Sequence, residues 1–277
     1  MKNLFIYLAL ALLTSACGGN GGNGTTTLKV TGSTTVGPLA TKAAEEFEKQ
    51  NEKLRISISE GGSGVGIANL IDGTTDIAMA SRGMKESEKL KFKERSFKDV
   101  VLGFDALSVV VHPENPIQQL SKAEIKAIFT GEVSNWSEVG GPDLQIVPVV
   151  RESSSGTYVY FREEALGNQD VAQNAMAQGS NGGVVQTLSQ TPGAIGYIGF
   201  AFEDPEKAKA VSVSWDGGNS YVAPKLENAM RGEYPLSRPL YFYYIVENEE
   251  KVKPYIDFIL SDEGQAIVKE VGYIPAK

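Results

Sequence analysis

The chain has 277 residues, 42% hydrophobic and 22% charged, with 26 Lys and Arg against 34 Asp and Glu for a formal net charge of −8. An acidic chain of this kind has no basic face for nucleic acid, so any anion site in it must work by local geometry and not by long-range attraction. A single cysteine excludes an internal disulfide, and one histidine without a Cys/His cluster, together with the lack of an Asp-rich calcium loop, leaves no metal site of ordinary spacing.

Residues 1–16 read as a secretory signal: Met-Lys-Asn, an apolar stretch from Leu4 to Leu13, and a small-residue exit at Thr14-Ser-Ala. The stretch is too short to span a bilayer. Cys17 stands where bacterial lipoproteins are cleaved and acylated; the segment resembles a lipobox with Thr14 in place of the usual Leu. The expectation is an exported protein held to a membrane by its lipid alone, facing the periplasm or the cell exterior. Residues 17–27, with Gly18 to Gly24 made only of Gly and Asn, read as a flexible tether. Loss of Lys2 with the leader takes the formal charge from −8 to −9. Roughly 250 residues remain, enough for one large domain or two ordinary ones.

Short apolar runs then alternate with helical patterns, the signature of an α/β chain with parallel strands. Leu28–Val30, Ile56–Ile58 and Ile77–Met79 are predicted strands. Leu39, Ala40, Ala43, Ala44 and Phe47 recur at helical spacing behind Pro38, and Gly66–Ile71 reads as a short helix. Val100–Val111 is long enough for a strand pair or for one segment passing between two bodies. Ser121–Thr130 is helical, with Ser121 and Glu124 set for a capping box. Ile146–Val150 and Ala194–Ile198 are strands, Val185–Leu188 is helical, Leu240–Val246 is another apolar run, and Pro254–Glu270 reads as one terminal amphipathic helix. The two long runs mark chain crossings, giving a discontinuous first lobe (28–105 with 240–277) and a second lobe at 106–239.

Three loops share one chemistry. Thr31-Gly-Ser-Thr-Thr-Val-Gly-Pro38 and Glu60-Gly-Gly-Ser-Gly-Val-Gly66 each follow a strand and open a helix. Arg151-Glu-Ser-Ser-Ser-Gly-Thr157 adds a guanidinium ahead of a hydroxyl-rich turn. Such turns expose backbone N–H groups that lack intrahelical partners where the helix dipole is positive, and a forked guanidinium matches a tetrahedral anion.

The motifs TGSTTVGPLA, EGGSGVGI, DIAMASRGMK, FDALSVVVHPENPI, IFTGEVSNWSEVGG, VPVVRESSSGT, TPGAIGYIGF and YPLSRPLYFYY, in this order over nearly the whole mature chain, resemble the phosphate-binding proteins of bacterial ABC importers. The resemblance implies a type II periplasmic-binding-protein fold: two discontinuous Rossmann-like lobes joined by a hinge, closing over an anion. Carried onto matching positions, it implies phosphate ligation by Ser33, Thr34 and Thr35, by Ser63 and Gly64, by Ser81 and Arg82, and by Arg151, Ser155, Gly156 and Thr157. It further implies inorganic phosphate and the permease subunits of an ABC importer as partners, no cofactor, a monomer and no catalysis.

Arg82 departs from the pattern, because some relatives carry there an aspartate that accepts the phosphate proton and so rejects sulfate. Glu60 and Glu152 are the carboxylates that could replace it. Arg82 is read either as a ligand or as half of an ion pair with Asp76 or Glu86. Alternatives left open are a binder of sulfate or another oxyanion, a serine-dependent phosphoesterase, and an adhesin or sensor. His112 is not read as a catalytic base, since no GxSxG elbow accompanies it. Trp136, Tyr158, Tyr197 and Tyr241–Tyr244 are read as core or hinge packing.

Overall fold

The computed structural model describes residues 25–277; the leader, Cys17 and the tether through Gly24 lie outside the described residues. The first lobe begins with β1 (Thr26–Gly32), α1 (Gly37–Gln50), β2 (Leu54–Glu60), α2 (Ser63–Ile71), β3 (Ile77–Ala80) and α3 (Glu86–Lys89), and the chain leaves it along β4 (Phe97–Val111). The second lobe holds β5 (Gln119–Ser121), α4 (Lys122–Thr130), β6 (Val147–Arg151), α5 (Gly156–Glu164), β7 (Met176–Gln178), α6 (Asn181–Gln190) and β8 (Ala194–Gly199). It continues through β9 (Lys209–Ala210), β10 (Ser212–Ser214) and α7 (Leu226–Met230). The chain returns along β11 (Ser237–Ile245) and ends in α8 (Glu249–Leu260), α9 (Asp262–Glu270) and β12 (Ile274–Pro275).

In the first lobe β1 lies between β2 and β3 and runs parallel to both, and β11 inserts antiparallel between β3 and β4. In the second, β6 runs parallel to β7 and β8, and β8 pairs antiparallel with β4. The 15-residue β4 joins the two: it pairs with β11 from Phe97 to Ala106 and with β8 from Leu107 to Val111. The Val100–Val111 run is therefore one crossing segment, not a strand pair.

Burial follows from this layering. β3 and β8 are inner strands buried along their whole length, whereas edge strand β2 alternates between partly buried and exposed positions. In the first lobe Leu39, Ala43 and Phe47 of α1 pack with Val252, Tyr255 and Ile259 of α8 on one sheet face, while Ile67 and Leu70 of α2 pack with Phe92 on the other. Ile125, Phe129 and Trp136 fill one side of the second lobe, and Val184 and Leu188 of α6 the opposite side. Each fully buried aliphatic or aromatic side chain contributes about 1.5–3 kcal/mol, enough to make each lobe a rigid plate for its loops.

Three expectations need correction. Thr26 and Thr27 are not tether; they pair with Leu54 and Arg55 as the start of β1. The terminal helix is two helices, because Ser261 adopts an extended ψ of 169° and its hydroxyl accepts from Gly264 N at 3.2 Å to cap α9. The short helix read from Gly66 begins a turn earlier, at Ser63.

Candidate functional site

Parallel strands deliver their carboxyl ends to one edge of a sheet, where connecting loops form a crevice. Here β1, β2 and β3 deliver Ser33–Thr35, Gly61–Ser63 and Ser81–Arg82, and β6 of the facing lobe delivers Arg151–Thr157. Ser33, Thr34, Thr35, Ser63, Ser81, Arg82, Arg151, Ser155 and Thr157 are all buried, and they make up half of the buried polar and charged residues among the described residues. A polar cluster of this size, buried between two apolar cores, has the composition of an internal ligand site.

The first-lobe loops converge through their hydroxyls. Ser33 donates to Ser81 Oγ at 3.1 Å, and Ser81 N donates to Ser63 Oγ at 3.1 Å. Gly32, with φ of 142°, lets the loop pass Met79, whose carbonyl would lie 2.2 Å from any added Cβ. In the second lobe Ser155 caps α5, accepting from Thr157 N at 3.2 Å and Tyr158 N at 3.4 Å.

Arg151 is 2% exposed and is held as a fork. Its Nε donates to the Gln178 carbonyl at 3.1 Å, and Nη2 donates to the Gly179 carbonyl at 2.7 Å and, across the cleft, to Thr34 Oγ1 at 2.9 Å. Its Nη1 is buried without a hydrogen-bond partner. No carboxylate bonds to it; burial presses its guanidinium down to about 10, and the charge of Arg238 adds to the push. A buried cation with an unspent donor is relieved by an anion beside it.

Three further contacts bring the lobes together: Thr35 Oγ1 with Thr157 Oγ1 at 3.0 Å, Gly64 N with the Ser154 carbonyl at 2.9 Å, and Asn181 Nδ2 with Thr35 Oγ1 at 3.3 Å. Gly156 faces Ser63 and Ser81 directly, for a Cβ there would meet their Oγ atoms at 2.3 and 2.8 Å. Of the eleven sequence-predicted positions, ten are therefore gathered around one cleft with their donors facing neighbours across or within it.

Arg82 differs. Its fork is occupied by Glu88, with Nη1 to Oε2 at 2.8 Å and Nη2 to Oε1 at 2.6 Å, and Nη1 also donates to the Gly83 carbonyl. Only its Nε–H is buried without a partner. The ion-pair partner is thus Glu88 and neither Asp76, which binds Lys251, nor Glu86, which binds Lys89. Glu88 is in the first turn of α3, three residues behind the Lys85 N–H that it also accepts from at 2.8 Å.

Sequence reasoning missed Asp105, Asn181 and Arg238. All three are buried, and Arg238 and Asp105 form an ion pair at 2.9 Å with side-chain exposures of 1% and 0%. A signal for the pair existed: one lone charge of each sign lies inside or at the head of the two crossing runs, and buried charges occur paired. An inter-lobe cavity of about 330 Å³ beside the site is lined by Arg82, Lys85, Tyr160, Glu163, Arg238 and Tyr241. His112 is engaged in a turn, its Nδ1 accepting from Glu114 N at 3.2 Å. Trp136 and Tyr197 are fully buried, the latter stacked on Phe161 at 3.9 Å, as expected of packing residues. Among the described residues no helix is long and apolar enough to cross a membrane.

Residues 19–263 match the model of a PBP superfamily domain. The phosphate-binding protein PstS of Staphylococcus epidermidis is 32% identical over 283 residues, 96% of this chain and 86% of the relative, and that of Staphylococcus aureus is 32% identical over 284 residues, covering 97% and 86%. A putative phosphate ABC transporter substrate-binding protein from Clostridium perfringens, solved with bound phosphate, superposes with a TM-score of 0.84 at 36% identity, covering 91% of this chain and all of that one. An ABC-type phosphate transport receptor from Vibrio cholerae gives 0.73 at 31% identity, covering 89% and 99%.

Proposed function

We propose, for a chain that belongs to the phosphate-binding proteins of the periplasmic-binding-protein superfamily, that it captures inorganic phosphate between its lobes outside the cytoplasm and hands it to an ABC permease. It is a receptor and not an enzyme. The observation that carries the reading is Arg151: a buried guanidinium with no carboxylate partner, an unspent Nη1 and a hydrogen bond to the opposite lobe. Around it, Ser33, Thr34, Thr35, Ser63, Gly64, Ser81, Ser155, Gly156 and Thr157 are the proposed donors for the phosphate oxygens, replacing the hydration that the anion loses. Arg82 acts from behind, its charge balanced by Glu88. Cys17 is the proposed lipid attachment, and the protein acts as a monomer.

Calorimetry on the mature chain, dialysed free of phosphate, tests this. Phosphate is expected to bind with a dissociation constant on the order of 1 μM, roughly −8 kcal/mol. Arg151→Met is expected to weaken it at least a hundredfold, and an unchanged affinity would remove the site. Ligand-dependent compaction in small-angle scattering tests the closing of the lobes.

A second reading, a less selective oxyanion binder, is favoured by Arg82 at the position where a proton acceptor could stand. Glu60 is the carboxyl best placed to serve instead: burial raises its pKa, and the Arg151 charge acts on it in the opposite sense. Comparable calorimetric affinity for sulfate and phosphate at pH 7 would favour the second reading, and a sulfate affinity weaker by a hundredfold or more would exclude it.

A further inference from the structure

Asp105 and Arg238 are register partners on β4 and β11, the two strands that cross between the lobes. They stand one residue from the point where β4 leaves β11 for β8, since Ala106 still pairs with Ser237 and Leu107 already pairs with Gly199. The guanidinium lies over the Tyr160 ring at 5.4 Å, and the Tyr160 hydroxyl donates to the Ser237 carbonyl at 2.8 Å. Asp105 is fixed in turn by Phe200 N, which donates to its other oxygen at 3.3 Å.

A pair that served only to pin the hinge would spend its donors on itself. Arg238 does so only in part: Nε donates to Asp105 Oδ2 at 3.3 Å, but Nη2 divides between Asp105 Oδ2 at 2.9 Å and Thr157 Oγ1 at 2.9 Å, and Nη1 is buried with no partner. The direction of these bonds is fixed by chemistry, because a guanidinium can only donate. Thr157 Oγ1 therefore accepts from Arg238 and keeps its own proton to give. Thr35 Oγ1 is in the same position, accepting from Asn181 Nδ2 at 3.3 Å, while Asn181 Oδ1 accepts from Gly199 N at 3.4 Å. The two threonine oxygens are 3.0 Å apart, and the bond between them uses only one of the two protons. The other proton has no acceptor in this network.

We infer that Arg238, anchored by Asp105, is a positioning residue of the anion site: from the hinge it turns the Thr157 hydroxyl so that Thr157 and Thr35, on opposite lobes, donate to a single anion. The inference rests on the phosphate-binding reading and deepens it. Because the anchor lies on the crossing strands, the donor geometry is set only when the lobes are closed. Asn181 performs the matching task for Thr35.

Calorimetric titration with inorganic phosphate tests it on the wild type, on Asp105→Asn combined with Arg238→Gln, on Thr157→Val, and on all three changes together. Removing both charges leaves no unpaired buried ion, so the double variant is expected to keep its melting temperature within a few degrees and to bind phosphate about 10–100-fold more weakly. Thr157→Val is expected to lose about as much, and the triple variant no more than the worse of the two, because Arg238 acts through Thr157. Wild-type affinity in the double variant, or losses that multiply in the triple, would overturn the inference while leaving the phosphate reading intact. Absence of phosphate binding by the wild type would overturn both. Arg238→Lys gives a second measure if the double variant does not fold: it keeps the charge opposite Asp105 but has no fork, and is expected to fall in affinity about tenfold, an unchanged value counting against the inference.

Discussion

Gly156 faces two serines of the opposite lobe, and the absent side chain is the reason it can. A methyl group there would stand 2.3 Å from Ser63 Oγ and 2.8 Å from Ser81 Oγ, both on the other lobe. An open form does not bring these atoms together, so Gly156→Ala is expected to leave the unliganded melting temperature nearly unchanged and to weaken phosphate binding at least a hundredfold in calorimetry. Wild-type affinity would show that the site works without this approach. Glu88 gives a pH prediction. Burial pushes its carboxyl up, but hydrogen bonds from Arg82 and from the Lys85 N–H outweigh burial and hold it below the ordinary value of 4.5. A depressed folded pKa means that the unfolded chain binds more protons in that window, so the stability supplied is present above about pH 4.5 and is lost as pH falls through the folded value. Glu88→Gln strands a buried Arg82 and is expected to cost about 3 kcal/mol at pH 7 in urea melts. The gap to wild type should narrow below pH 4.5, and an equal gap at both would refute the pairing. Loop residues such as Ser33, Ser63 and Ser155 were legible in the sequence because a hydroxyl or glycine after a strand and before a helix has a local physical meaning. Arg238 and Asn181 were not, since nothing local distinguishes a polar residue facing a cleft from one facing solvent. Arg82 was legible as a cation, but its partner was settled by the turn that carries Glu88 back from α3.

At the level of elements, the alternation of β1, α1, β2, α2 and β3 was readable because inner parallel strands are continuous apolar runs and their helices carry a 3.6-residue stripe. The order in which strands meet was not. That β11 slips between β3 and β4 depends on contacts more than a hundred residues apart in sequence. The break between α8 and α9 was missed for a different reason: the apolar stripe runs through both, and only the extended backbone at Ser261 separates them. The capping box at Ser121 was read correctly, with Ser121 N donating to Glu124 Oε2 at 2.7 Å and Glu124 N donating back to Ser121 Oγ at 3.3 Å. Since the side-chain hydrogen bonds of Ser121 go to Glu124 and none reaches the cleft loops, Ser121→Ala is expected to lower stability by about 1 kcal/mol. The phosphate affinity should not change, which separates fold from site when calorimetry and urea melts are run on the same sample.

At the scale of the molecule, what matters is that two plates share one strand. β11 belongs to the first sheet along its whole length, whereas β4 pairs there from Phe97 to Ala106 and continues into the second sheet from Leu107 to Val111, so unfolding either lobe strips one end of the same strand of its partner. The cleft itself is closed by a handful of polar contacts, among them Arg151 to Thr34 at 2.9 Å, Thr35 to Thr157 at 3.0 Å and Gly64 N to the Ser154 carbonyl at 2.9 Å. Each such bond contributes about 1 kcal/mol net, so the unliganded closed form is only weakly preferred and an anion that spans both lobes adds the larger part of the cohesion. Binding to the native state alone stabilises it by RT ln(1 + [L]/Kd), about 4 kcal/mol at a thousandfold excess over Kd. In a chain of this size each kcal/mol shifts the melting point by roughly 2–4 °C, so saturating phosphate is expected to raise it by roughly 8–16 °C. Scanning calorimetry over a phosphate series should show one transition that moves as a whole with the logarithm of phosphate concentration. Two transitions, of which phosphate moved only one, would mean that the lobes melt independently and that the shared strand does not couple them.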